Sequence, residues 1–167
     1  CPRVRLELAP NSKLMLIERF SGESELSDAV LEVDLGQGAT LQHVRVHQDQ
    51  GSLIGEVAVG IGRDANYENW LVSIGGKLQR VELRARMTGS GASCVLRGVT
   101  HVDGQELVDH HVRVDHEAPH GSSNQDYRAL LSGRGTSVFD GQVIVHRTGP
   151  GAEAHQLSRN LLLSESA

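Results

Sequence analysis

The sequence predicts an all-β fold, a solenoid of stacked strand rungs, on three observations: a turn that recurs at a nearly fixed interval, strand-like alternation between the turns, and no sustained helical period. The turn usually opens on Gly, Asn or Asp and is followed by a small residue. Its copies are Asn11-Ser12-Lys13-Leu14, Gly38-Ala39-Thr40-Leu41, Asp64-Ala65-Asn66-Tyr67, Gly91-Ala92-Ser93-Cys94, Gly135-Thr136-Ser137-Val138 and Gly151-Ala152-Glu153-Ala154. The first three intervals are 27, 26 and 27 residues, and the last two are 44 and 16.

A period in this range marks a stacked repeat, in which each unit buries its apolar face against its neighbours. The segments Leu41–Val46, Val81–Arg86 and Val143–His146 alternate with a period of two and predict half-buried strands. The uneven later intervals predict a hairpin, or a rung of different size, around Asp103-Gly104.

Composition supports the same class. The chain has 167 residues, a length suited to one domain, and only 3% are aromatic, so small aliphatic side chains must fill the interior. The net charge is −5, and the basic residues, Arg3, Arg5, Arg84, Arg86 and Arg97 among them, are dispersed. No basic patch argues for nucleic acid. The longest apolar stretches, Leu14–Ile17 and Leu161–Leu163, fall far short of the ~18 residues a spanning helix needs, so a soluble chain with no membrane role is expected. Two cysteines, Cys1 and Cys94, cannot form a disulfide framework and point to a reducing compartment. A solenoid with open ends is expected to self-associate through unpaired edges.

Candidate chemistry concentrates in His110-His111-Val112-Arg113-Val114-Asp115-His116-Glu117-Ala118-Pro119-His120. Imidazole is a common metal ligand, and Asp115 and Glu117 are suited to orient the rings. On an extended strand His110 and His116 share a face; Pro119 interrupts the run before His120. His116 and His120 are the candidate metal ligands. The competing reading is of histidines that hydrogen-bond between rungs, since the spacing matches no closed zinc signature. His43 and His47 read as a ladder on a solvated face. Cys94, opening a strand directly after a turn, reads as a small buried hydrophobe. Cys1 could act as an N-terminal nucleophile or simply mark a fragment boundary. Ser122 and Ser123 lie near His120 and Asp126 in sequence, but no Gly-x-Ser-x-Gly elbow accompanies them.

The second half of the chain carries a more specific signal. Asp109-His110-His111, Asp115-His116-Glu117-Ala118-Pro119-His120, Gln125-Asp126-Tyr127-Arg128-Ala129-Leu130-Leu131, Val138-Phe139-Asp140-Gly141-Gln142-Val143-Ile144-Val145 and Ala154-His155-Gln156-Leu157-Ser158-Arg159-Asn160-Leu161-Leu162-Leu163-Ser164 together resemble the core domain of the SufB/SufD family. Pro2-Arg3-Val4, Leu16-Ile17-Glu18, Asp28-Ala29-Val30 and Leu41-Gln42-His43-Val44-Arg45-Val46 extend the likeness more loosely. Leu41-Gln42-His43-Val44 and Val108-Asp109-His110-His111 lean toward the SufD branch.

That resemblance implies a right-handed parallel β-helix, with residues 1–167 as one core unit separated from N- and C-terminal helical regions. It implies a non-catalytic scaffold of the SUF machinery for iron–sulfur cluster assembly, partnered by a SufB-like scaffold subunit and a SufC-like ATPase. The setting would be the cytoplasm, or the plastid stroma in a eukaryote. The cluster would be held only transiently in the full complex, with no cofactor tightly bound to this segment. The family's cluster-building cysteine and histidine belong to a segment after the Asn-Leu-Leu-Leu-Ser motif. Three departures weaken thiol chemistry within the match: Gly121 where the family often has Cys, Asp140 where it usually has Asn, and Gly149-Pro150-Gly151 where a lysine is common. The alternative is a metal-binding β-protein or metal-dependent enzyme using the His110–His120 cluster. A polysaccharide-binding β-helix is disfavoured by the shortage of aromatics to stack on sugars.

Overall fold

The computed structural model describes residues 2–22, 25–48 and 50–165. Its twelve strands are β1 (Arg3–Leu8), β2 (Lys13–Phe20), β3 (Leu26–Leu35), β4 (Thr40–His47), β5 (Ser52–Ile61), β6 (Asn66–Ile74), β7 (Leu78–Met87), β8 (Ser93–Val102), β9 (Leu107–His116), β10 (Ser122–Leu131), β11 (Thr136–Val145) and β12 (Glu153–Leu162). Odd strands form one six-stranded sheet in the order β1-β3-β5-β7-β9-β11, and even strands form the other in the order β12-β10-β8-β6-β4-β2. Every pairing is parallel. The chain therefore alternates between two facing sheets and climbs one rung with each odd–even pair, a β-solenoid of about six turns.

The register sets the rung length. Leu26 pairs with Ser52 and Ser52 with Leu78, steps of 26 residues; Leu78 then pairs with Leu107 and Leu107 with Thr136, steps of 29. Of the two expectations around Asp103-Gly104, the rung of different size is present, longer by three residues, and the hairpin is not. β8 and β9, which flank that turn, lie in different sheets, because both strands already pair with parallel neighbours.

The turns that organise the sequence line one corner. Asn11, Gly38, Asp64, Gly91, His120 and Gly151 all adopt left-handed backbone conformation, with φ of 60°, 67°, 53°, 71°, 59° and 72°. Gly135 belongs to the opposite corner, between β10 and β11, which is why the intervals of 44 and 16 broke the series. Residues with side chains alternate with glycine for a steric reason. The Asn11 carboxamide oxygen fills the place of a Cβ on Gly38, an Asp64 carboxylate oxygen does so for Gly91, and His120 Nδ1 lies 2.7 Å from the Cβ position of Gly151. Only glycine can follow each of them. A corner ladder ties the stack together: Gly38 N–H donates to Arg63 O at 2.8 Å, Asp64 to Ser90 O at 2.9 Å and His120 to Pro150 O at 3.0 Å.

The core lies between the sheets. Inward residues repeat every second position, giving columns such as Leu8, Leu35, Ile61 and Met87, or Leu31, Val57, Leu83 and Val112, all buried. From the facing sheet Leu41, Tyr67, Leu71, Cys94 and Leu96 meet them. Burying each aliphatic side chain contributes about 1.5–3 kcal/mol. Cys94 is fully buried, as its place at the head of a strand predicted.

Candidate functional site

The interior is not uniformly apolar. β4 turns Leu41, His43, Arg45 and His47 inward, and all four are buried. The solvated ladder expected for His43 and His47 is therefore reversed. Their strand offers two alternating sets, and Val44 and Val46 make the other look like the core; pairing with β6 places Leu41 beside buried Tyr67 and so fixes the parity the other way.

Glu18 of β2 accounts for much of the polar interior. Its carboxylate lies 2.7 Å from His43 Nε2 and 3.1 Å from Arg45 Nε. Burial raises the Glu18 pKa, but the His43 hydrogen bond and the Arg45 charge outweigh it and leave it below the usual carboxylate value. An ionised carboxylate can only accept, so the proton sits on His43 Nε2 and Nδ1 faces the Tyr67 hydroxyl at 3.0 Å and the Asn69 amide at 3.2 Å. Asn69 also donates to the His43 carbonyl at 3.3 Å. Burial lowers the Arg45 pKa, with Glu18 opposing, and its guanidinium lies 4.9 Å over the Phe20 ring. This chain of groups holds the His43 proton toward Glu18, while burial raises the Tyr67 hydroxyl well above its ordinary value and keeps it protonated.

Further along the axis His110 Nε2 meets Ser73 Oγ at 3.3 Å, and its ring lies 5.9 Å from that of Tyr127, which stacks on Phe139 at 4.4 Å. Burial first, then the charges of Arg45 and His110, push the His47 pKa down to about 3. Burial likewise pushes His110 down to about 4 against the pull of Asp109. Both are neutral at neutral pH. Burial raises the Cys94 thiol to about 12, so it is no nucleophile in the folded protein.

The His110–His120 stretch does not converge. His110 and His116 share the inward face, as their spacing predicted, but His111 points outward between Asp109 at 2.8 Å and Asp140 at 3.4 Å. His116 Nε2 meets Ser123 Oγ at 2.8 Å, and His120 is a corner residue. Asp115 accepts from Arg113 at 2.7 and 2.9 Å and pairs with His146 at 2.9 Å, while Glu117 pairs with Arg86; neither carboxylate orients a ring of the stretch. Among the described residues no three His, Cys, Asp or Glu side chains are grouped to hold a metal. Ser123 faces inward, whereas Asp126 pairs outward with Arg128, so no triad forms. At Gly121 a Cβ would lie 2.9 Å from His116 Nδ1, so a cysteine there would require that ring to move. Cys1 lies outside the described residues.

Nothing in the sequence marked Glu18, Arg45, Tyr67 or Asn69 as site residues. Glu18 and Arg45, ladder neighbours, are charged at inward parity on consecutive rungs, a signal legible only once the register is known.

A two-sheet parallel solenoid of about six turns that encloses a column of polar side chains between its sheets defines a β-solenoid core domain. The family model for the SUF system FeS cluster assembly SufBD core domain matches residues 1–167, and the chain belongs to that family. It is 26% identical over 179 residues to an iron–sulfur cluster assembly SufBD family protein of Synechocystis, covering 99% of this chain and 40% of the relative. It is 28% identical over 173 residues to the chloroplastic protein ABCI7 of Arabidopsis thaliana, covering 99% of this chain and 36% of that protein. A SufBD family protein of Mycobacterium leprae is 30% identical over 111 residues, covering 62% of this chain and 28% of its own length. The chain thus spans about two fifths of the length of the first two relatives. Among the described residues no helix is long and apolar enough to cross a membrane.

Proposed function

We propose that this domain is a SufD-like, non-catalytic scaffold for iron–sulfur cluster assembly, acting through protein–protein contacts. The observation that carries the reading, beside family membership, is that Cys94 and four of the nine histidines are enclosed between the sheets, while the outer histidines His111 and His146 sit against carboxylates. His43, His47, His110, His116 and Cys94 are enclosed, and on the odd-strand sheet Arg86 pairs with Glu117, His111 with Asp109 and Arg113 with Asp115. What the chain offers a partner is a stiff ladder.

In this reading a SufB-like subunit meets the strands from Val138 to Leu163, and a SufC-like ATPase engages the whole protein elsewhere. The iron–sulfur cluster is cargo built between subunits. The setting is the bacterial cytoplasm or the plastid stroma, as the chloroplastic relative suggests. Anaerobic incubation with ferrous iron and sulfide tests it: the protein alone should develop no stable stoichiometric chromophore, whereas the mixture with a SufB-like subunit should. A stoichiometric chromophore on the protein alone would overturn the scaffold reading.

A further inference from the structure

The two outer faces of the solenoid carry different mixtures, the odd-strand face setting Leu26, Ile54 and Val138 among charges. The odd-strand sheet turns out charges that pair with one another: Arg80 with Asp109, Arg84 with Glu82, Arg86 with Glu117, Arg113 with Asp115. The even-strand sheet turns out Ile17, Trp70, Ile74, Val99, Leu130 and Leu161, each more than a third exposed. Register sets Ile74, Val99, Leu130 and Leu161 in two neighbouring columns: Val46, Val72 and Val99 continue into Arg128, and Ile74 continues through His101 into Leu130 and Leu161. Scattered apolar residues need no explanation, but columns that end in one groove mark a contact.

At the last rungs the surface deepens into a groove of about 390 Å³ lined by Val99, Leu130, Leu161, Arg128 and Arg159 among others. Arg97, Arg128 and Arg159 gather round a single carboxylate, Asp126. Arg97 also bonds to Glu68 while lying 4.7 Å over the Trp70 ring, and Arg128 bonds to Asp126 at 3.0 and 2.8 Å. Among the described residues Arg159 has no ion pair. Three guanidiniums thus face two carboxylates in a chain whose net charge is −5.

We propose that this face docks an acidic amphipathic segment of another polypeptide, with its apolar side chains in the groove and its carboxylates on Arg128 and Arg159. The charge argument selects that occupant. Most of the molecule repels an acidic partner, so the guanidinium cluster beside the groove would both attract and orient it. The Arg128–Asp126 pair is solvent-exposed and lies within one strand, so Arg128 can exchange one carboxylate for another.

The test is photo-crosslinking of the full-length protein in its native cells, with benzoylphenylalanine replacing Leu130, followed by sequencing of the adduct. The expected adduct is a peptide of a different polypeptide with apolar residues at helical spacing flanked by Asp or Glu. Its yield should fall at least tenfold in the Arg128→Glu/Arg159→Glu variant and stay unchanged in Arg63→Glu, an exposed control at the corner. Thermal melting of each variant checks that the fold is kept. An adduct with this protein's own chain, with a second copy, or with a segment lacking carboxylates would overturn the proposal. So would an adduct that survives the charge reversal, or no adduct.

Discussion

Gly98 and Tyr127 are ladder neighbours on adjacent even strands, and the Tyr127 ring fills the space a side chain at position 98 would need. The ring stacks on Phe139 across the solenoid, so one glycine in β8 positions an aromatic that joins the two sheets. Gly98→Ala should destabilise by about 1–3 kcal/mol through overpacking, and Tyr127→Ala by about 3–5 kcal/mol through a cavity. The double variant should lose clearly less than the sum, read from urea midpoints; simple additivity would show that the ring does not depend on the glycine.

The alternating corner makes a second prediction. Gly91→Ala places a Cβ against Asp64 at a left-handed φ and should cost about 1–2 kcal/mol, whereas Asp64→Gly should be within about 0.5 kcal/mol of neutral or stabilising. His120→Gly should behave like Asp64→Gly. Thermal melting of the three variants decides it, and a large loss for His120→Gly would give that residue a role beyond the turn.

The buried ion pair should respond asymmetrically. Glu18→Ala leaves Arg45 buried without its carboxylate and should cost about 3 kcal/mol, at the lower end for a buried pair because Glu18 is one fifth exposed. Adding Arg45→Met should recover part of that loss. Chemical denaturation of the single and double variants is the measurement.

Two buried histidines set the acid limit. His47 and His110 have folded pKa values near 3 and 4, below the ordinary value of 6.5. Protons therefore bind the unfolded chain preferentially once pH falls below 6.5. Each contributes stability that is complete above that value and declines by about 1.4 kcal/mol per pH unit down to its own folded pKa. Urea midpoints should begin to fall near pH 6, above the carboxylate range, and His110→Gln should flatten the slope between pH 6 and 4.

Cys94 should be inert while the protein is folded. Iodoacetamide at pH 8 should leave it unmodified by peptide mass mapping in native buffer and label it fully in urea, because burial both encloses the thiol and keeps it protonated.

Much of the fold was legible because a solenoid repeats. The turns from Asn11 to Gly91 recur with little variation, and inward aliphatics alternate along β3, β5 and β7 over Leu31 to Leu35, Val57 to Ile61 and Val81 to Met87. The repeat lost its register where His120 took the place held by Gly or Asp in earlier rungs; a histidine at positive φ has no sequence signal of its own. The site was less legible. His43 and His47 were noticed as a pair, but Val44 and Val46 competed for the core, and only the neighbouring strands settle which set turns inward.

By itself the sequence determined the spacing of the rungs up to Gly91, the strand character and the family, since these rest on local turn chemistry, period-two alternation and contiguous motifs. Tertiary structure alone decided which alternate residues are enclosed. It brought Glu18 to His43 across 25 residues and separated His110 from His120 within 10. It also left the valines of β4, β6 and β8 on an outer face. The reason is that a strand's two faces are equivalent until pairing and packing choose between them, and that choice belongs to the whole stack.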